Sequence, residues 1–257
     1  MDYNQPSLHA PYDKGRTQSP ETVALWMDAV AEFLTPLGTD LTVLDLGCGT
    51  GRYSVHLAEH LGATVIGVEP ADGMREQAVA NRAHPRVTYL AGRAEDIPCP
   101  DESFDGAFLS MMVHHVTDVP AMCRQLHRVL RPGGRVFLRN SFSGRLDSVV
   151  FYSFFPAGKE IDEDRLPNLG QLCNTFAEAG FELVAHRVVT QQIDPDLSSH
   201  YRRLRHRAAS TFELMSEADV RKGFEAMEAA IRDGTHPGPV LEDIDLLVFA
   251  KPAGSRD

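Results

Sequence analysis

Five short apolar runs, at 41–46, 63–68, 86–90, 104–110 and 135–139, alternate with stretches of helical periodicity. Their apolar character is continuous rather than every second residue, which marks strands buried on both faces. Strands alternating with helices give a parallel sheet covered on both sides. The spacing places helices at 53–61, ended by Gly62, at 71–83 with Asp72 as its cap, and at 119–130. An earlier helix over 21–37 follows from Val23, Trp26, Val30, Phe33 and Leu34 at helical spacing. Pro132-Gly133-Gly134 forms the turn into the fifth strand. Residues 40–140 are thus a doubly wound α/β core. The last third predicts a helix over 166–179, a strand over 181–191, helices over 197–208 and 217–231, and a final strand over 245–251. About 50 residues separate those two strands, and an insertion of that size is usually functional or a cap.

The sharpest local signal is Asp45-Leu-Gly-Cys-Gly-Thr-Gly51, which leaves an apolar strand and opens a helix. Glycines there let the backbone turn sharply and approach a ligand closely. In an open α/β sheet, ligands bind at the carboxyl ends of the strands. The second strand ends at Glu69, 18 residues after Gly51. An acid at that place accepts hydrogen bonds from both hydroxyls of a ribose. The pair specifies a nucleoside-containing cofactor. The dinucleotide pattern G-x-G-x-x-G fails, because its third glycine falls on Arg52.

These residues resemble motif I of the class I S-adenosylmethionine-dependent methyltransferases. Val68-Glu69-Pro70 resembles their ribose-binding strand end, and Gly92-Arg-Ala-Glu-Asp-Ile-Pro98 their adenine loop. Phe104–Ser110 and Leu130-Arg-Pro-Gly-Gly-Arg-Val136 resemble the fourth strand and the turn into the fifth. The resemblance covers about residues 12–140. Within that class the chain is similar to the type 11 group, which includes the ubiquinone/menaquinone C-methyltransferases. The resemblance implies S-adenosylmethionine as cofactor and S-adenosylhomocysteine as product. It implies that Asp45 and the backbone of Gly47, Gly49 and Gly51 hold the methionine end. Glu69, with Pro70 beside it, takes the ribose hydroxyls. Ala94 and Glu95 frame the adenine and Met74 lies against its face. Ser110 and Met111 line the site, and Tyr12 and Arg16 resemble a pair that closes over the cofactor. Arg93 stands where the family often has Asp.

A hydroxyl or amine acceptor needs somewhere to send its proton. His114 and His115 follow the fourth strand, where the reactive centre falls, and His115 is the preferred base. The competing reading is that one packs beneath the sheet while the other caps the next segment. Adjacent side chains alternate along a strand, so the pair is not a metal site. Asn140 leaves the fifth strand at the same rim. Phe151, Tyr152, Phe154 and Phe155 either line a substrate pocket, with Tyr152 facing the substrate, or seat the cap on the sheet. Phe176 and Phe181 are read with that core. Tyr201-Arg-Arg-Leu-Arg-His-Arg207 is the dense basic stretch. It is either a solvated face or, through Arg202 and Arg205, a site for a substrate carboxylate or phosphate.

The 257 residues include 25 Lys and Arg against 36 Asp and Glu, a net charge of −11. That balance disfavours a phosphate backbone as partner. Ser110-Met-Met-Val113 also lacks the Asn/Asp-Pro-Pro-aromatic signature of enzymes that methylate nucleic-acid amino groups. No apolar run approaches the roughly 20 residues of a membrane span, and no apolar signal core opens the chain. Four separated cysteines form no zinc spacing and read as reduced thiols. The expectation is a cytoplasmic monomer or homodimer that needs neither nucleic acid, membrane nor metal. Its fold is a Rossmann-like, seven-stranded, mostly parallel sheet with a helical cap. The arm spans 1–20, the core 21–191 and 238–257, and the cap 192–237. The expected activity is methyl transfer to a small molecule by in-line displacement. The alternatives are a protein of this fold that binds the cofactor without transferring methyl, or a nicotinamide-dependent oxidoreductase.

Overall fold

The computed structural model describes Gly15 and residues 18–254. Tyr12 and Arg16 lie outside the described residues. Seven strands form one sheet: β1 (Thr42–Leu46), β2 (Thr64–Glu69), β3 (Val87–Ala91), β4 (Phe104–Ser110), β5 (Leu130–Asn140), β6 (Glu182–Asp194) and β7 (Val240–Ala250). Their order is β3-β2-β1-β4-β5-β7-β6. The first five run parallel, and β7 is antiparallel to both β5 and β6. The chain reverses direction in strand order between β1 and β4. The carboxyl ends of β1, β2 and β4 therefore open a crevice there. Register aligns Leu46 with Val68 and with Leu109, so the Gly47 turn, Glu69 and Ser110 emerge at one rim.

Helices α1 (Pro20–Leu34) and α2 (Arg52–Leu61) cover one face. Their apolar stripe, with Trp26, Val30, Leu34 and Leu57, packs on Val43, Val65, Phe108 and Phe137. On the other face α4 (Val119–Val129) and α7 (Leu169–Glu178) bury Met122, Leu126, Leu172 and Phe176. Phe176 stacks on Phe249 at 4.1 Å, and Phe181 meets it edge-on. This pair therefore belongs to the sheet core and not to the core beneath the cap. Helix α3 (Asp72–Asn81) takes Ala71 as its N-cap. Asp72 falls instead in the first turn, with its carboxylate 2.6 Å from Arg75, where it complements the helix dipole.

The cap is built from two stretches of chain. One is α5 (Val150–Phe154) with α6 (Pro156–Arg165), directly after β5. The other is α8 (Leu197–Leu204), α9 (Thr211–Leu214) and α10 (Glu217–Asp233), between β6 and β7. Phe155 is their common centre. It stacks on Phe151 at 4.6 Å and meets Phe212 and Phe224 edge-on at 5.3 and 5.2 Å. The aromatic cluster after β5 therefore seats the two stretches on each other, while Phe151 and Tyr152 also face the crevice.

Strand β6 runs three residues further than its apolar pattern indicates, to Asp194, and β7 begins five residues earlier, at Val240. Glu242, Asp243 and Asp245 interrupt the apolar run of β7. Asp245 is nonetheless buried, held by both Arg145 donors at 3.0 and 2.9 Å and by His186 at 2.6 Å.

Gly223 of α10 has no room for a methyl group, since a Cβ there would enter the ring of Phe155. Gly223→Ala gains about 0.8–1.0 kcal/mol of helix propensity. It loses more through overpacking, about 1–3 kcal/mol. Thermal denaturation should show a lowered midpoint, and Phe155→Leu in that background should restore part of the loss, because contacting residues are not additive.

Candidate functional site

The turn after β1 owes its shape to glycines in left-handed conformations, with φ of 69° at Gly47 and 57° at Gly49. A Cβ on Gly49 would stand in open space, which leaves a cradle on the cavity side. Gly51 is left-handed for another reason. A side chain there would collide with the hydroxyl of Tyr89, and Gly51 does not line the cavity.

Glu69 closes this rim. Its Oε2 accepts the Gly49 N–H at 2.9 Å and its Oε1 accepts the Ala71 N–H at 2.9 Å. Burial pushes its pKa up, while the two backbone donors pull it down. Each oxygen keeps a further lone pair, enough to receive a ligand diol. Asp45 sits behind the turn, 2% exposed, and accepts the Ser54 hydroxyl at 2.6 Å. It does not line the cavity. Asp45 thus braces the glycine turn against α2 from one layer behind the cavity wall. Burial, with the nearby Glu69 charge, raises its pKa to about 7 against the pull of Ser54.

Beyond Glu69 the wall continues through Pro70, Met74, Ala94 and Glu95. Glu95 Oε1 accepts both the backbone N–H and the hydroxyl of Thr117, at 3.0 and 2.8 Å. This ties the loop after β3 to the segment after β4. At the end of β4, Ser110 and Met111 line the cavity, and Met111 is held at φ 53° with its N–H on the Arg139 carbonyl. A left-handed non-glycine residue is a strained backbone feature of the kind found at functional sites. His114 and His115 lie in a 3₁₀ turn, Val113–His115, rather than on a strand. Both therefore reach the cavity, with ring centroids 4.0 Å apart.

Several expected residues lie elsewhere. Asn140 is fully buried, donates to the Ser141 carbonyl at 2.5 Å and does not line the cavity. Arg202 and Arg205 are exposed on the outer side of α8. Arg202 bonds Ser199 at 3.0 Å, and Arg205 lies over the rings of Tyr201 and Phe224. Arg203 is the arginine of this run that faces inward, because helical spacing turns its neighbours away. Tyr152 does line the cavity and donates to Asp162 at 2.8 Å.

The remaining lining residues belong to no sequence motif. Arg139 is 4% exposed, lies over Trp26 at 4.6 Å and donates to Gln191 at 2.9 Å. A lone Arg in the apolar run Val136-Phe-Leu-Arg139 was the available signal. Asp162 gathers Arg165, Tyr152 and Thr211, and Asp194 gathers His200 and Arg203. Both clusters depend on contacts far apart in sequence or across a helix end.

The burial of Asp45 has a consequence for stability. An aspartate in the unfolded chain titrates near 3.9. Between that value and about 7 the folded state keeps a proton that the unfolded state has lost. The protein therefore loses stability as pH rises through this window, on the order of 2–4 kcal/mol from this group. Asp45→Asn keeps an oxygen for Ser54 and removes the charge. Urea denaturation should show the variant more stable than wild type at pH 8 and the difference nearly gone at pH 4.

Residues 44–138 match the family model described as a methyltransferase domain. Over 115 residues the chain is 39% identical to the malonyl-[acyl-carrier protein] O-methyltransferase of Yersinia pestis, covering 43% of this chain and 40% of that one. Over 172 residues it is 33% identical to the 27-O-demethylrifamycin SV methyltransferase of Amycolatopsis mediterranei, covering 64% and 59%. The chain thus spans about half the length of the curated relatives it matches. A solved methyltransferase structure, assigned to an antibiotic biosynthesis pathway of Anabaena variabilis, superposes with a TM-score of 0.68 at 26% identity, covering 87% of this chain and 95% of that one. The motif order and the strand order agree with that match, so residues 44–138 carry a methyltransferase domain of the type 11 kind on the fold of the class I methyltransferases.

Proposed function

We propose that this protein transfers a methyl group from S-adenosylmethionine to a small molecule held under the cap. Bound S-adenosylmethionine supplies a methyl on a positively charged sulfur, a good leaving group that departs as the neutral thioether S-adenosylhomocysteine. The observation that carries the reading is one cavity of about 480 Å³. Its lining runs from Gly47, Gly49 and Glu69 at the sheet rim to Tyr152, Leu166 and His200 in the cap. Nucleoside-binding and substrate-holding walls thus face a common space.

The residues present fit the cofactor. Glu69 offers a buried carboxylate at the strand end, already oriented by two backbone donors. Gly49 leaves the space that a Cβ would fill. Met74 and Ala94 give an apolar wall for a flat base. The chain's own contribution is then alignment and the exclusion of water, and orientation alone supplies roughly 7–11 kcal/mol of such a barrier. Val149, Phe151, Leu166 and Leu204 give the cap side of the cavity apolar surface beside the polar Asp162, Arg165 and Thr211. They favour an acceptor with substantial apolar area.

Titration calorimetry should find micromolar binding of S-adenosylhomocysteine and none of NADH. Glu69→Ala should weaken that binding about 30-fold or more, since hydrogen bonds to a charged group contribute roughly 1.5–3 kcal/mol each. A labelled-methyl screen of small acceptors follows from that result. Tight NADH binding with no affinity for S-adenosylhomocysteine would reject the reading.

A further inference from the structure

His200, in α8, is 1% exposed and lines the cavity. Its Nδ1 lies 2.8 Å from Asp194 Oδ2, and Arg203 Nε lies 2.8 Å from the same oxygen. The Arg203 NH2 group is 3.0 Å from Nδ1. The other ring nitrogen, Nε2, is buried and has no hydrogen-bond partner among the described residues.

These distances choose a tautomer. A carboxylate only accepts and a guanidinium only donates. An Nδ1 lone pair pointed at Arg203 would also face the Asp194 oxygen at 2.8 Å, lone pair against lone pair. A proton on Nδ1 removes that clash and makes a short bond to the charged carboxylate; it sets an Arg203 N–H against Nδ1–H at 3.0 Å, which costs less because Arg203 keeps Asp194 and the Gly15 carbonyl as acceptors. In the neutral ring, Nε2 then carries the lone pair. A buried acceptor left unpaired costs about 1–3 kcal/mol, so such an atom on a residue that lines the cavity needs its own explanation. The Asp194–Nδ1 contact exists because β6 continues to Asp194 and turns directly into α8, whose own N-cap is Asp196. It fixes the ring in orientation as well as in tautomer.

We propose that His200 Nε2 is the proton acceptor for the methyl acceptor, and that the acceptor is an apolar molecule bearing a hydroxyl of phenolic type. The apolar part of the cap wall, Val149, Phe151, Leu166 and Leu204, takes the ring and Nε2 takes the O–H. In the transfer, the acceptor oxygen bonds to the methyl carbon as the methyl–sulfur bond breaks. The electron pair of that bond leaves on sulfur. The hydroxyl proton passes to Nε2, and Asp194 stabilises the resulting imidazolium through Nδ1–H. The inference rests on the methyl-transfer reading, yet its geometric part is testable without turnover.

The test uses the full chain with ¹⁵N-labelled histidine, loaded with S-adenosylhomocysteine, and phenol and anisole as probes. Long-range ¹H–¹⁵N spectra should show His200 with a protonated Nδ1 and an unprotonated Nε2. Phenol should move the Nε2 resonance in the direction of hydrogen bonding, and anisole, which has no O–H, should not. Phenol affinity should fall about tenfold in His200→Phe and stay within about threefold of wild type in His200→Gln, which keeps an acceptor. A proton on Nε2, equal responses to the two probes, or no response to phenol would overturn the proposal. So would phenol affinity equal to wild type in His200→Phe. Calorimetry with S-adenosylhomocysteine on the same samples separates the two readings. Loss of cofactor binding in wild type strikes the methyl-transfer reading, whereas intact binding with a silent Nε2 strikes only the role of His200.

Discussion

One carboxylate holds the two loops at the cavity rim of this protein in a fixed relation. Glu69 ends β2 and takes one backbone N–H from the glycine turn after β1 and one from the start of α3. Without it, the turn would be held at this rim by the Val68 carbonyl, which accepts from both Gly47 and Cys48. The arrangement is costly, because Glu69 and Asp45 are two acids brought near each other in a buried place. Each has its pKa raised by burial, and the charge of Glu69 adds to the rise at Asp45. A site with such crowded negative charge favours a ligand that brings positive charge or several hydrogen-bond donors. The sheet fixes where this happens, since β1, β2 and β4 end in register at the reversal of strand order.

The parts that local chemistry dictates were legible in the sequence. Continuous apolar runs gave the strands, and the glycine turn with Glu69 gave the rim. The runs and their connecting helices need only nearest-neighbour information. Other parts depended on contacts that sequence spacing does not encode. Gly51 looks like a ligand-facing glycine, yet Tyr89, 38 positions later, is what excludes a side chain from it. His114 and His115 look incompatible with a shared site if the strand continues. A 3₁₀ turn places both rings at the cavity. Within the basic stretch from Tyr201 to Arg207, only the helical phase tells Arg203, which lines the cavity, from Arg202 and Arg205, which do not.

The cap shows why substrate recognition resists reading from one segment. Its core joins Phe151 and Phe155, directly after β5, to Phe212 and Phe224, more than fifty positions later. The polar clusters of the cap follow the same pattern. Asp162 is satisfied by Arg165 within its own helix but also by Thr211 in α9. Such a network rigidifies both stretches only when every member is paired. Asp162 meets that condition, which marks it as a brace. His200 does not, because one of its nitrogens is held by Asp194 and the other has no hydrogen-bond partner among the described residues.

That asymmetry separates architecture from chemistry within the cap. A fold that already satisfies Asp162, Asp245 and Gln191 with internal partners has the means to satisfy a histidine as well. One nitrogen without a partner among the described residues costs about 1–3 kcal/mol of stability. The surrounding residues instead fix the ring: Asp194 on one side, Arg203 beside it, and the Gly15 carbonyl holding Arg203 in place at 3.0 Å. Preorganising a side chain in this way is useful when its free atom meets a ligand group whose charge changes during reaction, since no reorganisation is then needed at that moment. Through Arg203, the Gly15 carbonyl ahead of α1 is tied to the cluster that holds His200.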